Sequence, residues 1–312
     1  MYTTLHSLFR KLPPSWRAGM KQVVGTQGHG HSTFDWLSAR KDATGKKRLD
    51  HALEGVIQTI GHDEIGELPG KVCVDFGAGY VPTDGVAMWL LGAREVHGID
   101  YNRIAKPKEV ARAITSVHAS SVHQILQGLQ IDSQWKDRLD NLTTWAQEGA
   151  GGFPPGYIYV APADIIESPT LLPKFDILLS TSVLEHIRPS QMAALLDVLK
   201  ARENSRATQI HRVDLRDHRD FLNNPYGFLD PSDGFDCESD ADARGNGMTL
   251  RDWEMLLAGR PEWNLGVNSY ELGRPDLIPL SSATQGPQVI ADTVLLRTIA
   301  SADRTLGGSN QR

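Results

Sequence analysis

Apolar positions along this chain recur in two rhythms, and their alternation predicts most of its elements. Residues 72–76 form a short apolar run with β-branched members, interrupted only by Asp75. The run leads into Gly77-Ala78-Gly79, a helix-like stretch at 83–91, and a second apolar run at 95–99 that closes on Asp100. Strand, glycine turn, helix, strand and acid is the pattern of a βαβ unit. Further strands are expected at 157–160, 175–179, 208–215, 263–272 and 289–300. Leu49, Leu53, Val56, Ile57 and Ile60 lie at helical spacing. Other helices are expected at 110–129, 135–146, 189–200 and 248–257, the last with Thr249 as N-cap. Strands alternating with helices imply an α/β fold with a mostly parallel sheet.

The same pattern divides the chain into an N-terminal helical arm or cap at 1–66, one α/β domain at 67–302, and a polar tail at 303–312. Within the domain, roughly fifty-five residues separate the second and third strands, where a plain alternating fold needs far fewer. This helical insertion, 103–156, ends in the breakers Gly149-Ala-Gly-Gly-Phe-Pro-Pro-Gly156. Lying outside the carboxyl end of a strand, it is expected to cover the ligand crevice. A helical pair supporting a homodimer is the rival use. In the arm, Phe34 and Trp36 are lid residues or ordinary core aromatics.

Charge narrows the partners. The 312 residues carry a net charge of −6, and no basic run exceeds Lys46-Lys47-Arg48. Phosphate neutralisation dominates nucleic-acid affinity, so a nucleic-acid substrate is disfavoured. Two cysteines make neither a disulfide scaffold nor a zinc site. His29-Gly30-His31 reads as a loop. The acidic stretch 231–247 lacks the glycine and terminal glutamate of a calcium loop and reads as a mobile solvated segment, so no metal ligand set is expected. No stretch reaches the ~18–20 apolar residues of a membrane span, and the N-terminus lacks the apolar core of a signal peptide. A cytoplasmic protein with no membrane partner is expected.

Glycines belong where backbone must turn sharply and lie against a ligand, and an acid at the next strand end can accept hydrogen bonds from both ribose hydroxyls. A dinucleotide site wants a third glycine where this chain has Pro82. The order Asp75-x-Gly77-x-Gly79, with Asp100 at the next strand end, resembles the class I S-adenosylmethionine (SAM)-dependent methyltransferases. The string Phe175-Asp-Ile-Leu-Leu-Ser-Thr-Ser-Val-Leu-Glu-His-Ile187 is similar to members acting on metabolites, sugars and natural products. It is unlike the Asn/Asp-Pro-Pro-Tyr/Phe signature of base-modifying members. His211-x-x-Asp214-Leu-Arg216-Asp217-His218 resembles a bacterial subset associated with polysaccharide or secondary-metabolite pathways.

The resemblance implies a Rossmann-like seven-stranded sheet closing in a C-terminal antiparallel hairpin, SAM as cofactor, and methyl transfer to O, N or S of a small molecule. It implies cofactor contacts from Asp75, Gly77, Ala78, Gly79, Asp100 and Tyr101, and from Asp164, Ile165 and Ser180 at later strand ends. An Asx turn is the other reading of Asp164. His186, His211, Asp214 and His218 are expected near the transferred methyl, with Arg216 and Tyr226 binding the acceptor. A salt-bridge network locking that loop is the alternative. A non-catalytic SAM-binding subunit and, more remotely, an NAD(P)-dependent oxidoreductase are the other functional readings.

Overall fold

The computed structural model describes residues 39–62, 64–129, 131, 134–220, 224–270 and 291–298. His29, His31, Phe34, Trp36 and the polar tail lie outside the described residues. Chain order runs α1 (Leu49–Ile60), β1 (Val72–Phe76), α2 (Thr83–Leu90), β2 (Glu95–Ile99), α3 (Pro107–Thr115), α4 (Ala119–Gln127) and α5 (Trp135–Gln147). It continues with β3 (Tyr157–Val160), β4 (Phe175–Thr181), α6 (Pro189–Ala201), β5 (Glu203–Asp214), α7 (Ala241–Arg244), α8 (Leu250–Leu257), β6 (Trp263–Tyr270) and β7 (Ala291–Thr298).

These strands make one seven-stranded sheet of order β3-β2-β1-β4-β5-β7-β6. The first five are parallel, and β7 runs antiparallel to both β5 and β6. The fold is therefore Rossmann-like α/β with a closing antiparallel hairpin. The chain builds from β1 toward β3, then returns to place β4 on the other side of β1. That reversal opens a crevice outside the carboxyl ends of β1 and β4, where ligands bind in open α/β sheets.

Period-two alternation sends each strand's side chains to two different cores. One core joins Cys73, Leu179 and Ile210 of the sheet to α1, α2 and the insertion. The other joins Val74, Leu178 and Val213 to Met192 and Leu196 of α6 and Trp253 of α8. A capping box starts α8: the Asp252 N–H donates to Thr249 Oγ at 3.4 Å, and the Thr249 N–H donates to Asp252 Oδ2 at 2.7 Å.

The insertion differs from expectation in what it covers. Val110, Ile114, Val122, Leu126, Trp135, Leu139 and Leu142 bury their side chains in the core shared with α1 and α2. Its helices thus thicken one face of the sheet, where their apolar stripes leave water. Arg138 donates to Trp89 O and Ala93 O, satisfying carbonyls near the end of α2. Both cysteines are free, Cys73 in the core and Cys237 at the surface. Among the described residues no helix is long and apolar enough to cross a membrane.

Candidate functional site

The glycine turn sits at the crevice, and each glycine is there for a different reason. Gly77 and Gly79 both occupy the left-handed region, at φ +76° and +67°. A Cβ on Gly77 would lie 2.2 Å from Val183 Cγ2, so this glycine lets the turn after β1 touch the turn after β4. A Cβ on Gly79 would meet nothing closer than 3.8 Å and would project into open space. The Gly77 and Ala78 amides both donate to Ile99 O, at 2.8 and 3.3 Å. The Gly79 amide donates to Asp100 Oδ2 at 2.7 Å, and Asn102 N–H donates to Asp100 Oδ1 at 2.9 Å.

Asp100 is 9% exposed, and burial pushes its carboxyl above the usual range against the pull of those two amides. Each carboxylate oxygen keeps a second acceptor position, so the acid can still take two hydroxyl hydrogen bonds. Beside it Tyr101 is 68% exposed, a large aromatic face open to a planar ring.

Among the other members of the expected cofactor set, Asp75 and Asp164 accept hydrogen bonds from within the protein and the Ile165 side chain is buried. Asp75 turns away from the crevice, and its Oδ2 accepts from Tyr157 Oη at 3.1 Å and Gly85 N at 3.2 Å. Burial, then the neighbouring Asp84, pushes its carboxyl well above the ordinary range. Period two explains the correction: Asp75 faces α2 and braces its first turn. Asp164 makes the Asx turn, its Oδ1 accepting from Ile166 N at 3.0 Å and Glu167 N at 3.1 Å. Ile165 is buried in the apolar core.

The cluster at the ends of β4 and β5 splits into three groups. His211 is wholly buried in the sheet, its Nδ1 2.8 Å from Ser180 Oγ and its Nε2 3.2 Å from Gln209 Oε1. Gln209 donates its amide N to Glu203 Oε1 at 2.7 Å, so its oxygen must accept from His211 Nε2–H. The ring is then neutral and the Ser180 hydroxyl donates to Nδ1; burial pushes the imidazole pKa down to about 3. His211 and Ser180 satisfy each other inside the sheet, which corrects the expectation that both face the ligand. His211 is three residues inside the strand end, with Leu296 of β7 beside it.

Asp214 and Arg216 form a two-bonded ion pair, at 2.9 Å for Nε–Oδ1 and 2.8 Å for Nη2–Oδ2. Asp217 is fully buried and pairs with Arg244, which also reaches Asp233. These groups are the loop-locking network rather than open acceptor contacts. Tyr226, expected against the acceptor, is buried in the same loop.

The third group faces the crevice side. His186 lies just beyond β4 and His218 just beyond β5, their rings in edge contact with centroids 4.7 Å apart. Both are partly exposed. Beneath them Glu185 is 1% exposed, and its Oε1 accepts from Asp214 N at 3.3 Å. Burial pushes the Glu185 carboxyl up to about 8 and the His218 imidazole down to about 4.

Segment 241–246 holds this group in place. Ala241 O sits 3.2 Å from His186 Nδ1, and Arg244 O accepts from His218 N at 2.9 Å. The Asn246 amide donates to Leu184 O and Ile187 O at 3.0 and 2.9 Å. Of the stretch 231–247, read from its acidity as mobile and solvated, the end at 241–246 is a docked brace, while much of 231–240 is exposed. Sequence reasoning gave no role to Glu185, Asn246 or Tyr157. Glu185 had one signal, an acid directly before a histidine at a strand end; buried Asn246 had none. Two other clefts, of about 310 and 360 Å³, lie near the amino ends of the strands and touch none of these residues.

No protein-family model matches the chain, and no curated protein matches it. Among solved structures it is similar to the magnesium protoporphyrin IX methyltransferase of Synechocystis with bound SAH, at 14% identity and TM-score 0.42. That match covers 96% of this chain and 99% of the other. It is similar also to the plantazolicin methyltransferase BpumL in complex with SAH, at 14% identity and TM-score 0.42 over 95% and 100% of the two chains. A third likeness is to a SAM-dependent methyltransferase of Mesorhizobium loti, at 14% identity and TM-score 0.42, covering 80% of this chain and 98% of that one. Identities and scores this low carry no residue role across.

Proposed function

We propose that this protein is a SAM-dependent methyltransferase acting on an O, N or S nucleophile of a small-molecule acceptor, a metabolite, natural product or saccharide, in the cytoplasm. The observation that supports it most is the Gly79–Asp100 pairing at the switch point of the sheet. Left-handed backbone, an open position at Gly79 and an acid with spare acceptor capacity together fit a nucleoside whose chain must lie against the turn. SAM when bound would supply a methyl group activated by its sulfonium. Asp100 would hold the ribose, Tyr101 would cover the adenine, and the backbone of Gly77, Ala78 and Gly79 would pass the methionine part.

The protein's own contribution to rate is then chiefly positioning, since an in-line displacement needs the nucleophile aligned about 3 Å from the methyl carbon. The ends of β4 and β5 adjoin the turn after β1, so an acceptor would sit beside His186 and His218. Those imidazoles are the groups best placed to orient a polar acceptor or take its proton.

Titration calorimetry with SAM, SAH and NAD tests the cofactor, and transfer of label from methyl-labelled SAM into a host extract tests the activity. Binding of SAM and SAH but not NAD, with a labelled product, is the expected outcome. Tight NAD binding with no SAM uptake would overturn the reading, and SAM binding without any transfer would leave a non-catalytic subunit.

A further inference from the structure

We propose that Glu185, His186 and His218 form a binding site for a divalent first-row transition ion of the zinc class, with one coordination position left open. One donor atom from each of the three side chains lies within 4.8 Å of the other two. Bonds of about 2.0–2.1 Å around a tetrahedral ion put its ligands roughly 3.3–3.5 Å apart. Small side-chain rotations would close the triad onto an ion.

Three features make this more than a chance meeting of polar groups. The first is the tautomer of His186. Ala241 O can only accept, so His186 Nδ1 carries the proton and donates to it at 3.2 Å, leaving the Nε2 lone pair directed elsewhere. A metal-binding histidine characteristically donates its other ring N–H to a carbonyl or carboxylate, which fixes the ring and raises its basicity.

The second is Glu185. The side chain is 1% exposed, yet its Oε2 accepts no hydrogen bond among the described residues. A buried carboxyl oxygen without a partner is costly, and a cation that displaces the carboxyl proton is one of the few things that relieves it. The third is rigidity. The Asn246 amide clamps the turn that carries Glu185 and His186, and Arg244 O fixes the backbone of His218.

The donor set selects the ion. Two imidazoles and one carboxylate suit zinc, iron or cobalt, whereas calcium and magnesium prefer oxygen throughout. Three protein ligands with an open fourth position describe a site where a water or an acceptor hydroxyl would bind. With an ion in place both imidazoles act as ligands, so they would no longer serve as proton acceptors. The use of the open position by an acceptor rests on the methyl-transfer reading; the ion site itself does not.

The full chain, stripped with chelator and dialysed, is titrated with zinc chloride, and in parallel with cobalt chloride while the visible d–d bands are recorded. One saturable equivalent of zinc and a tetrahedral-type cobalt spectrum are expected. Glu185→Gln and His186→Asn should each weaken zinc by at least roughly 10–100-fold, the loss already typical of disturbing a ligand's hydrogen-bond partner. His186 is partly exposed, so its variant keeps the test valid if Glu185→Gln fails to fold. Absence of a saturable equivalent, or uptake unchanged in a folded His186→Asn protein, would overturn the site. A SAM titration on the chelated protein reads the cofactor separately, so loss of one result leaves the other standing.

Discussion

The Tyr157 hydroxyl donates to Asp75 Oδ2 across 3.1 Å, through a gap that two glycines leave open. A Cβ on Gly98 would lie 1.8 Å from Tyr157 Oη, and one on Gly85 would lie 2.3 Å from its Cε2. Glycine on β2 and glycine on α2 therefore admit a tyrosine of β3 to an acid of β1. The acid that opens the glycine motif is a fastener of the sheet, and the left-handed turn of that motif begins at Gly77.

That packing makes Gly98→Ala a stability variant. The added methyl must push Tyr157 off its position, and overpacking of this kind costs typically 1–3 kcal/mol, occasionally more. Urea denaturation should show a lower midpoint with an unchanged slope. A Gly98→Ala protein as stable as wild type would mean that Tyr157 does not occupy the gap.

Asp100→Ala should act on cofactor and fold together. Each charge-assisted hydrogen bond to the carboxylate is worth roughly 1.5–3 kcal/mol, so loss of ribose contacts should weaken SAM at least about tenfold. The Gly79 and Asn102 amides lose their acceptor as well, which lowers stability. Gly79→Ala separates the two effects: it places a methyl in open space at a cost of roughly 1–2 kcal/mol for the left-handed backbone. Calorimetry should show SAM weakened in both variants. Unchanged SAM affinity in Gly79→Ala would mean the ligand does not lie against the turn.

Glu185 predicts a pH dependence with a defined sign. Its folded-state pKa is raised from 4.5 to about 8 by burial. Between those values the folded protein keeps a proton that the unfolded chain has released. The Glu185 contribution to the stability of the metal-free protein should therefore fall as pH rises through that window and level off above it. Asp75, also held above its ordinary range, adds to the fall, while His211 and His218, held low, oppose it below about 6.5. A displacement of one pH unit in pKa is worth about 1.4 kcal/mol, so the slope is measurable by urea melts at pH 5, 6, 7 and 8. The difference in stability between wild type and Glu185→Gln isolates this group and should change across the window; a difference that does not vary with pH would show that another group is responsible.

His211 should behave as a buried structural residue. Its pKa, lowered to about 3 by burial, means that its contribution to stability is complete above about 6.5 and is lost as pH falls toward 3. Nuclear magnetic resonance should find that the His211 imidazole signals do not move between pH 5 and 9. His211→Ala leaves Ser180 and Gln209 without their partner, and an unsatisfied buried polar group costs about 1–3 kcal/mol. A His211 ring titrating near 6.5 would return it to the crevice.

The sheet was legible because each strand carries its own apolar run between breakers. Strand β5 begins at Glu203, earlier than its apolar pattern, because Glu203, Asn204, Ser205 and Arg206 are polar yet still belong to the strand. The stretch expected as one helix over 110–129 is two, α3 and α4, interrupted at Ser116-Val117-His118. No glycine or proline marks that interruption, so apolar spacing alone ran through it. The left-handed turn at Gly77 and Gly79 and the place of Asp100 just beyond β2 were legible from special backbone demands and strand-end position. His211, Asp75 and Ser180 were misplaced because residue type names chemistry, whereas strand parity and depth decide which side of the sheet receives it.

The brace at 241–246 gives the site a different place in the life of the fold from the sheet. His186 and His218 are presented together only when a segment from beyond β5 has docked onto the turns that carry them. The pairings of the five parallel strands involve none of its residues. Undocking of that one short segment would dismantle the histidine pair while the sheet stays whole. On heating, the ability to hold two side chains in register should therefore fail before the protein melts, and the hold of Asn246 on its two carbonyls would set that earlier temperature.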